Sequence, residues 1–241
     1  MDLGIGGKVA LVTAASKGLG KASALALAAE GVRVAICARG EEALRATEAE
    51  IRALGGDVYA MTSDVTAPDA PARLVDETVA YFGGLDILVA NAGGPPPARA
   101  LDIDDEQIAA AVNNNLTTSV RLVRHAVPWM RRARWGRICL ITSFSVKQPI
   151  PNLSLSNLAR TGLWAWAKTA AQDLFPDGIT LNLACPGHHA TDRMKQLGGD
   201  PAHMGDPADF GRIVAFLCSQ PCAFLSSTAV NVDGAAVLGL L

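Results

Sequence analysis

The residues with the clearest chemistry lie in Thr13-Ala14-Ala15-Ser16-Lys17-Gly18-Leu19-Gly20, directly after the apolar run Val9–Val12. A loop of small residues that opens a helix turns backbone amides and the positive helix end toward a pyrophosphate. Gly18 and Gly20 let the phosphates and the neighbouring strand approach closely. A second cation, Arg39, follows the apolar stretch 32–38. Sites for a nucleotide with a free ribose 2′-hydroxyl usually carry a carboxylate there, whereas an arginine suits a 2′-phosphate. A guanidinium grips phosphate in bidentate fashion. With Arg39 there, Lys17 in the loop and no acidic residue at that strand end, the expected cofactor is NADP(H).

The elements that must hold these residues alternate along the chain. Short β-branched runs at 9–12, 32–38, 58–62, 87–90, 138–142, 179–184 and 229–232 alternate with helical patterns at 18–29, 41–54, 68–82, 104–132, 153–173 and 207–219. Several strands read as unbroken apolar segments, as expected where both faces are covered. The expected fold is α/β, a single Rossmann-type doubly wound parallel sheet of about seven strands with helices on both faces. No linker or repeat divides residues 1–241, so one domain with an integrated substrate pocket is expected. Pro128 lies well inside the 104–132 pattern and should kink or shorten that helix. Ligands of such sheets bind beyond the carboxyl ends of the strands, which directs attention to the loops.

Bulk properties narrow the partners. Of 241 residues, 50% are hydrophobic and the formal net charge is −2, which argues for a large core and against a polyanionic partner. The densest basic cluster, Arg131, Arg132, Arg134 and Arg137, is expected to be a solvated helix end rather than a nucleic-acid face. Five cysteines without a CxxC or a ligand-like histidine spacing suggest neither a metal site nor a disulfide framework. Together with the lack of a signal-like start or a long apolar span, they favour a reduced, cytoplasmic protein without membrane attachment. The expected partner is a small-molecule substrate.

Further along, Ser63-Asp64-Val65 follows the third strand and Ala90-Asn91-Ala92-Gly93-Gly94 the fourth. Cys185-Pro186-Gly187 is followed by Thr191, and the chain nears its end in Val230-Asn231-Val232-Asp233-Gly234. In this order and along nearly its whole length, the sequence resembles the short-chain dehydrogenase/reductase family. TAASKGLG is similar to its TGxxxGxG, ANAG to its NNAG, and CPG with Thr191 to its PGxxxT. Among members it resembles those like the 3-oxoacyl-carrier-protein reductases. The resemblance implies a nucleotide held by Thr13, Ala15, Ser16, Lys17, Gly18, Leu19, Arg39, Asp64, Val65, Asn91, Ala92, Gly93, Arg160, Pro186, Gly187 and Thr191. It also implies a homodimer or homotetramer built on the long helices, where Trp164 and Trp166 would serve as interface residues. Ala14 stands where the family usually has its first glycine, a costly choice if that residue needs positive φ.

The same resemblance implies a serine that polarises a carbonyl, a Tyr-x-x-x-Lys pair for proton donation, and an asparagine that organises a water. Asn115 matches the asparagine and Ser143 the serine. Aligning Gly162 with the family's glycine puts Ser156 at the tyrosine position and Arg160 at the lysine position. Tyr59 and Tyr81, the only tyrosines, lie in the first half of the chain. An aliphatic hydroxyl is far too weak an acid without a neighbouring base, and a guanidinium does not relay protons. Candidate replacements are His188, His189 and Lys147, or a pre-activated acceptor such as an iminium that needs no protein acid. The expected activity is NADP(H)-dependent oxidation or reduction of a small carbonyl, alcohol or imine compound. The alternatives are a non-redox enzyme on the same fold and a non-catalytic dinucleotide-binding protein.

Overall fold

In the computed structural model, which describes residues 1–196, 198 and 204–240, seven strands form one parallel sheet. They are β1 (Val9–Val12), β2 (Arg33–Ala38), β3 (Val58–Thr62), β4 (Ile87–Ala90), β5 (Gly136–Ile141), β6 (Ile179–Pro186) and β7 (Ala229–Val232). Their spatial order is β3-β2-β1-β4-β5-β6-β7. The connection reverses direction between β1 and β4, so a crevice opens beyond their carboxyl ends. β1 and β4 are buried at every residue, because helices cover both faces. The helices are α1 (Gly18–Ala29), α2 (Glu41–Ala53), α3 (Ala70–Phe82), α4 (Asp105–Val112), α5 (Thr118–Ala133), α6 (Ser154–Leu174), α7 (Asp192–Gln196) and α8 (Pro207–Leu217).

Alternate strand residues feed two cores. Leu11, Leu88, Leu140 and Leu183 pack with α3, α5 and α6 on one face; Val12, Val89, Ile141 and Ala184 pack with α1 and α8 on the other. On the second face Gly211 of α8 meets the Ala22 carbonyl of α1 so closely that a side chain there would collide with it. The β1–α1 unit that presents the glycine loop is therefore clamped from behind.

Three expectations need correction. The helical pattern 104–132 is not one helix: α4 and α5 are joined by a π-helical turn, Asn113–Thr117. There the Thr118 hydroxyl donates to the Asn113 carbonyl at 2.9 Å, five residues back. Of the two effects expected of Pro128, shortening does not occur: α5 runs on to Ala133. Arg137 is no surface cation: it lies in β5, is 1% exposed, and donates through Nε to the Ser219 carbonyl at 3.0 Å and through Nη1 to that of Gly136 at 2.8 Å. Its neighbours Arg131 and Arg134 do lie outside and share Asp177. All five cysteines are buried thiols. Among the described residues no helix is long and apolar enough to cross a membrane.

Candidate active site

The glycine loop crosses the carboxyl end of β1 and is pinned on three sides. Thr13 Oγ1 donates to the Asn91 carbonyl at 2.7 Å and accepts from the Asn91 amide at 2.9 Å, tying β1 to the loop after β4. The Ala15 amide donates to the Cys37 carbonyl at 2.9 Å, and the Thr47 hydroxyl donates to the Ser16 carbonyl at 3.1 Å. A β-carbon on Gly20 would lie 2.5 Å from the Ala14 carbonyl oxygen and 2.7 Å from Asn91 Nδ2. Only a residue without a side chain lets α1 start there. Ala14 itself adopts φ 48°, the left-handed conformation that a Cβ makes costly.

That loop delivers an open helix end. At the N-cap of α1, Lys17 makes no side-chain capping bond, and the first turn carries no acidic residue. The amides of a 12-residue helix thus face outward beside a cation, a ready anion site. Thr191 closes it from the far side, with its methyl 3.6 Å from where a Gly18 side chain would begin. Arg39 is exposed at the end of β2, and among the described residues neither it nor Lys17 has a carboxylate within ion-pair distance. Asp64, after β3, accepts from the Thr66 amide at 3.0 Å and hydroxyl at 2.7 Å. Those bonds, with Arg39 nearby, hold its carboxyl below the usual range. Val65 is buried beside it. These groups suit an adenine nucleotide with an extra phosphate: open amides and cations where charge would lie, apolar walls between.

The second cluster lies beyond the ends of β4, β5 and β6. Ser143 accepts from the Ser145 amide at 3.1 Å, an arrangement that leaves its O–H able to donate outward. Asn115, in the π-helical turn, donates through Nδ2 to the Gly93 carbonyl at 2.9 Å, while its buried Oδ1 has no partner among the described residues. Ser156 and Arg160 share one face of α6, where Arg160 Nε donates to Ser156 Oγ at 3.2 Å. Arg160 Nη1 donates to the carbonyls of Ile141 at 3.1 Å and Thr142 at 3.0 Å. Burial pulls this guanidinium down to about 10. Cys185 lies close by, with its sulfur 3.2 Å from the Thr142 hydroxyl, and burial pushes its thiol up to about 11.

The two histidines part company. His188 is exposed, its ring edge-on to Phe144 at 6.0 Å between centroids. His189 turns inward, 5% exposed, with Nδ1 3.3 Å from the Gly187 carbonyl and its ring 5.1 Å from that of Phe210. His189 is therefore a packing residue. Lys147 ends the short helical turn after Ser143, half-buried and near enough to bias Cys185 electrostatically. Pro186 ends β6, and Gly187 after it donates to the Val232 carbonyl at 2.9 Å. Trp164 and Trp166 pack against the core partly buried. Sequence reasoning passed over Arg193, whose Nη2 donates to the Pro95 carbonyl at 2.8 Å, 98 residues away along the chain.

The chain is similar in sequence and in fold to known proteins. The family described as short chain dehydrogenase matches residues 8–202. A 3-oxoacyl-[acyl-carrier-protein] reductase of Synechocystis is 34% identical over 240 residues, covering 96% of this chain and 97% of the relative. Dehydrogenase/reductase SDR family member 4 of Sus scrofa is 31% identical, covering 94% of this chain and 86% of its own length. Among solved structures, L-sorbose reductase from Gluconobacter frateurii, complexed with NADPH and L-sorbose, superposes with a TM-score of 0.93 at 29% identity over all of both chains. A 7α-hydroxysteroid dehydrogenase complexed with NADH and 7-oxoglycochenodeoxycholic acid gives 0.93 at 27% identity, over 100% of this chain and 98% of its own.

Proposed function

Because the chain belongs to the short-chain dehydrogenase family, we propose that it is an NADP(H)-dependent oxidoreductase of a small carbonyl, alcohol or imine compound, working without the family's tyrosine. The observation that carries this reading is the open end of α1, which no side chain caps, with Lys17 beside it and Arg39 at the end of the adjacent strand. Thr13, Ala15, Ser16, Gly18 and Leu19 would cradle the pyrophosphate. Lys17 and Arg39 would hold the 2′-phosphate, Asp64 and Val65 the adenine, and Asn91, Ala92, Gly93, Pro186, Gly187 and Thr191 the nicotinamide half. Bound there, the nicotinamide supplies or accepts a hydride. L-sorbose reductase, bound to NADPH in its crystal, is a precedent on the same backbone.

Each polar residue at the second cluster then has a part. Ser143, its acceptor side engaged by the Ser145 amide, donates to the substrate oxygen or nitrogen. Arg160 keeps Ser156 fixed and offers one Nη2 N–H to the nicotinamide ribose, leaving the other free; charged at neutral pH, it moves no proton. Asn115 keeps one buried acceptor for a water on the proton path. His188, exposed, and Lys147, half-buried after Ser143, would be the candidate proton donors.

Calorimetric titration with NADPH and NADH, paired with nicotinamide absorbance during incubation with ketones, alcohols and cyclic imines, tests the reading. NADPH is expected to bind at least tenfold tighter. A protein that binds neither nucleotide would remove the oxidoreductase reading, and product formation without any change in nicotinamide absorbance would replace it with non-redox chemistry on the same fold.

A further inference from the structure

Two guanidinium groups converge on Gly94, and no carboxylate among the described residues answers either. A side chain beginning at Gly94 would lie 3.9 Å from Arg160 Nη2 and 3.7 Å from Arg193 Nη2. Arg160 is 8% exposed. Its Nε and Nη1 are committed to Ser156 and to two strand-end carbonyls, while Nη2 has no partner among the described residues. Arg193 is exposed and, among the described residues, held by one bond to the Pro95 carbonyl that leaves its Nη1 without a partner there. The only acid adjoining it in sequence, Asp192, lies toward Lys195 at 3.9 Å.

Burying a cation without a counter-ion is costly, and a second cation beside it adds to the cost. Arg193 acts on Arg160 in that sense, disfavouring its charge further. Ribose hydroxyls would accept hydrogen bonds from Arg160 but bring no negative charge. The cofactor's phosphates are expected at the open end of α1, where Thr191 faces Gly18. A negative group on the substrate would supply the missing charge at Gly94.

We propose that Arg160 and Arg193 form a clamp for a carboxylate carried by the substrate, so that the reacting compound is a small oxo acid, hydroxy acid or imino acid. Its two oxygens would bridge the guanidinium edges above Gly94, next to Ser143, with the reacting carbon a bond or two away. Planar guanidinium edges match the two oxygens of a carboxylate in bidentate fashion. This inference deepens the oxidoreductase reading, on which it rests for the place of the reacting carbon.

The test is a calorimetric titration of the protein saturated with NADP, using pyruvate, acetoacetate and benzoylformate, each against its methyl ester. The acids are expected to bind at least tenfold tighter than the esters. Arg193→Gln should abolish that preference and Arg193→Lys should keep most of it, both leaving the NADP dissociation constant within twofold. Equal binding of acids and esters, no binding of any acid to the NADP complex, or an equal loss of acid and NADP affinity in Arg193→Gln would each overturn the clamp. Should NADP itself fail to bind, the oxidoreductase reading falls alone. The acids are then titrated against the protein without nucleotide, where an Arg193-dependent acid preference supports the clamp and its absence overturns it.

Discussion

Arg160 Nε donates to Ser156 Oγ at 3.2 Å across one turn of α6. The hydroxyl that the resemblance sets at the family's proton-donor position thus accepts from a guanidinium. On the proposed reading the pair binds and positions and does not supply acid. Restoring both partners should restore the ordinary chemistry. Ser156→Tyr with Arg160→Lys places a phenol and a titratable amine at the same spacing, and general acid catalysis is worth about 10²-fold or more. NADPH-dependent reduction of a simple ketone should rise by about that factor in kcat. Ser156→Tyr alone should gain little, because the guanidinium next to it relays nothing. A folded, NADPH-binding double variant with no gain would show that the pocket itself admits only pre-activated acceptors.

Arg39 should set the nucleotide preference. It is exposed beyond β2, and its nearest influence is on Asp64 rather than on a bonded partner. A charge-assisted bond to phosphate is worth about 1.5–3 kcal/mol, so Arg39→Ala should weaken NADPH binding by about 10- to 100-fold. NADH, which has no 2′-phosphate, should change by about twofold or less. Side-by-side calorimetric titrations of the two nucleotides check this, and equal losses for both would assign Arg39 to the fold instead.

Ala14 holds φ 48° between β1 and the glycine loop. An L-residue with a Cβ costs about 1–2 kcal/mol there, and glycine returns part of that through its more flexible unfolded chain. Ala14→Gly should therefore stabilise the protein by about 0.5–1 kcal/mol, a rise in Tm of about 1–4 °C for a chain of this size. Differential scanning calorimetry reads it directly. A lower Tm would mean that the methyl group packs usefully against the loop.

The elements were legible where one signal dominated. The run at 9–12 and the helix opening at Gly18 emerged with the expected bounds, because apolar periodicity and a helix-opening glycine loop agree there. The π-helical turn was hidden because Asn113 and Asn115 bond side chain to backbone across the fold, to Thr66 and Gly93, while the Thr118 hydroxyl bonds back to Asn113. No helical periodicity encodes such bonds. Arg137 looked like part of a surface cluster; only strand pairing, which seats it beside Ser219, reveals that it is buried. Ser156 and Arg160 could be placed by register alone, whereas Arg193 reaches Pro95 across 98 residues and left no local trace.

His189 should make the fold sensitive to mild acid. Its ring is buried against Phe210 near the Gly187 carbonyl, and burial holds the imidazole below its usual value. Folded, it resists protonation; unfolded, it binds a proton near pH 6.5. The unfolded state therefore takes up more protons as pH falls through that value, and stability drops with it. The stabilisation is complete above the unfolded value and declines below it until the folded imidazole also protonates. Carboxylates titrate lower than the window from pH 7.5 to pH 5.5, and comparison with His189→Leu separates this histidine from the other three. Urea midpoints of the natural protein should fall across that window more than those of His189→Leu, whatever the substitution costs at pH 7.5. His188→Leu, which changes an exposed ring, should leave the slope unaltered. Parallel slopes for the natural protein and His189→Leu would mean that His189 accepts its proton without leaving its place against Phe210.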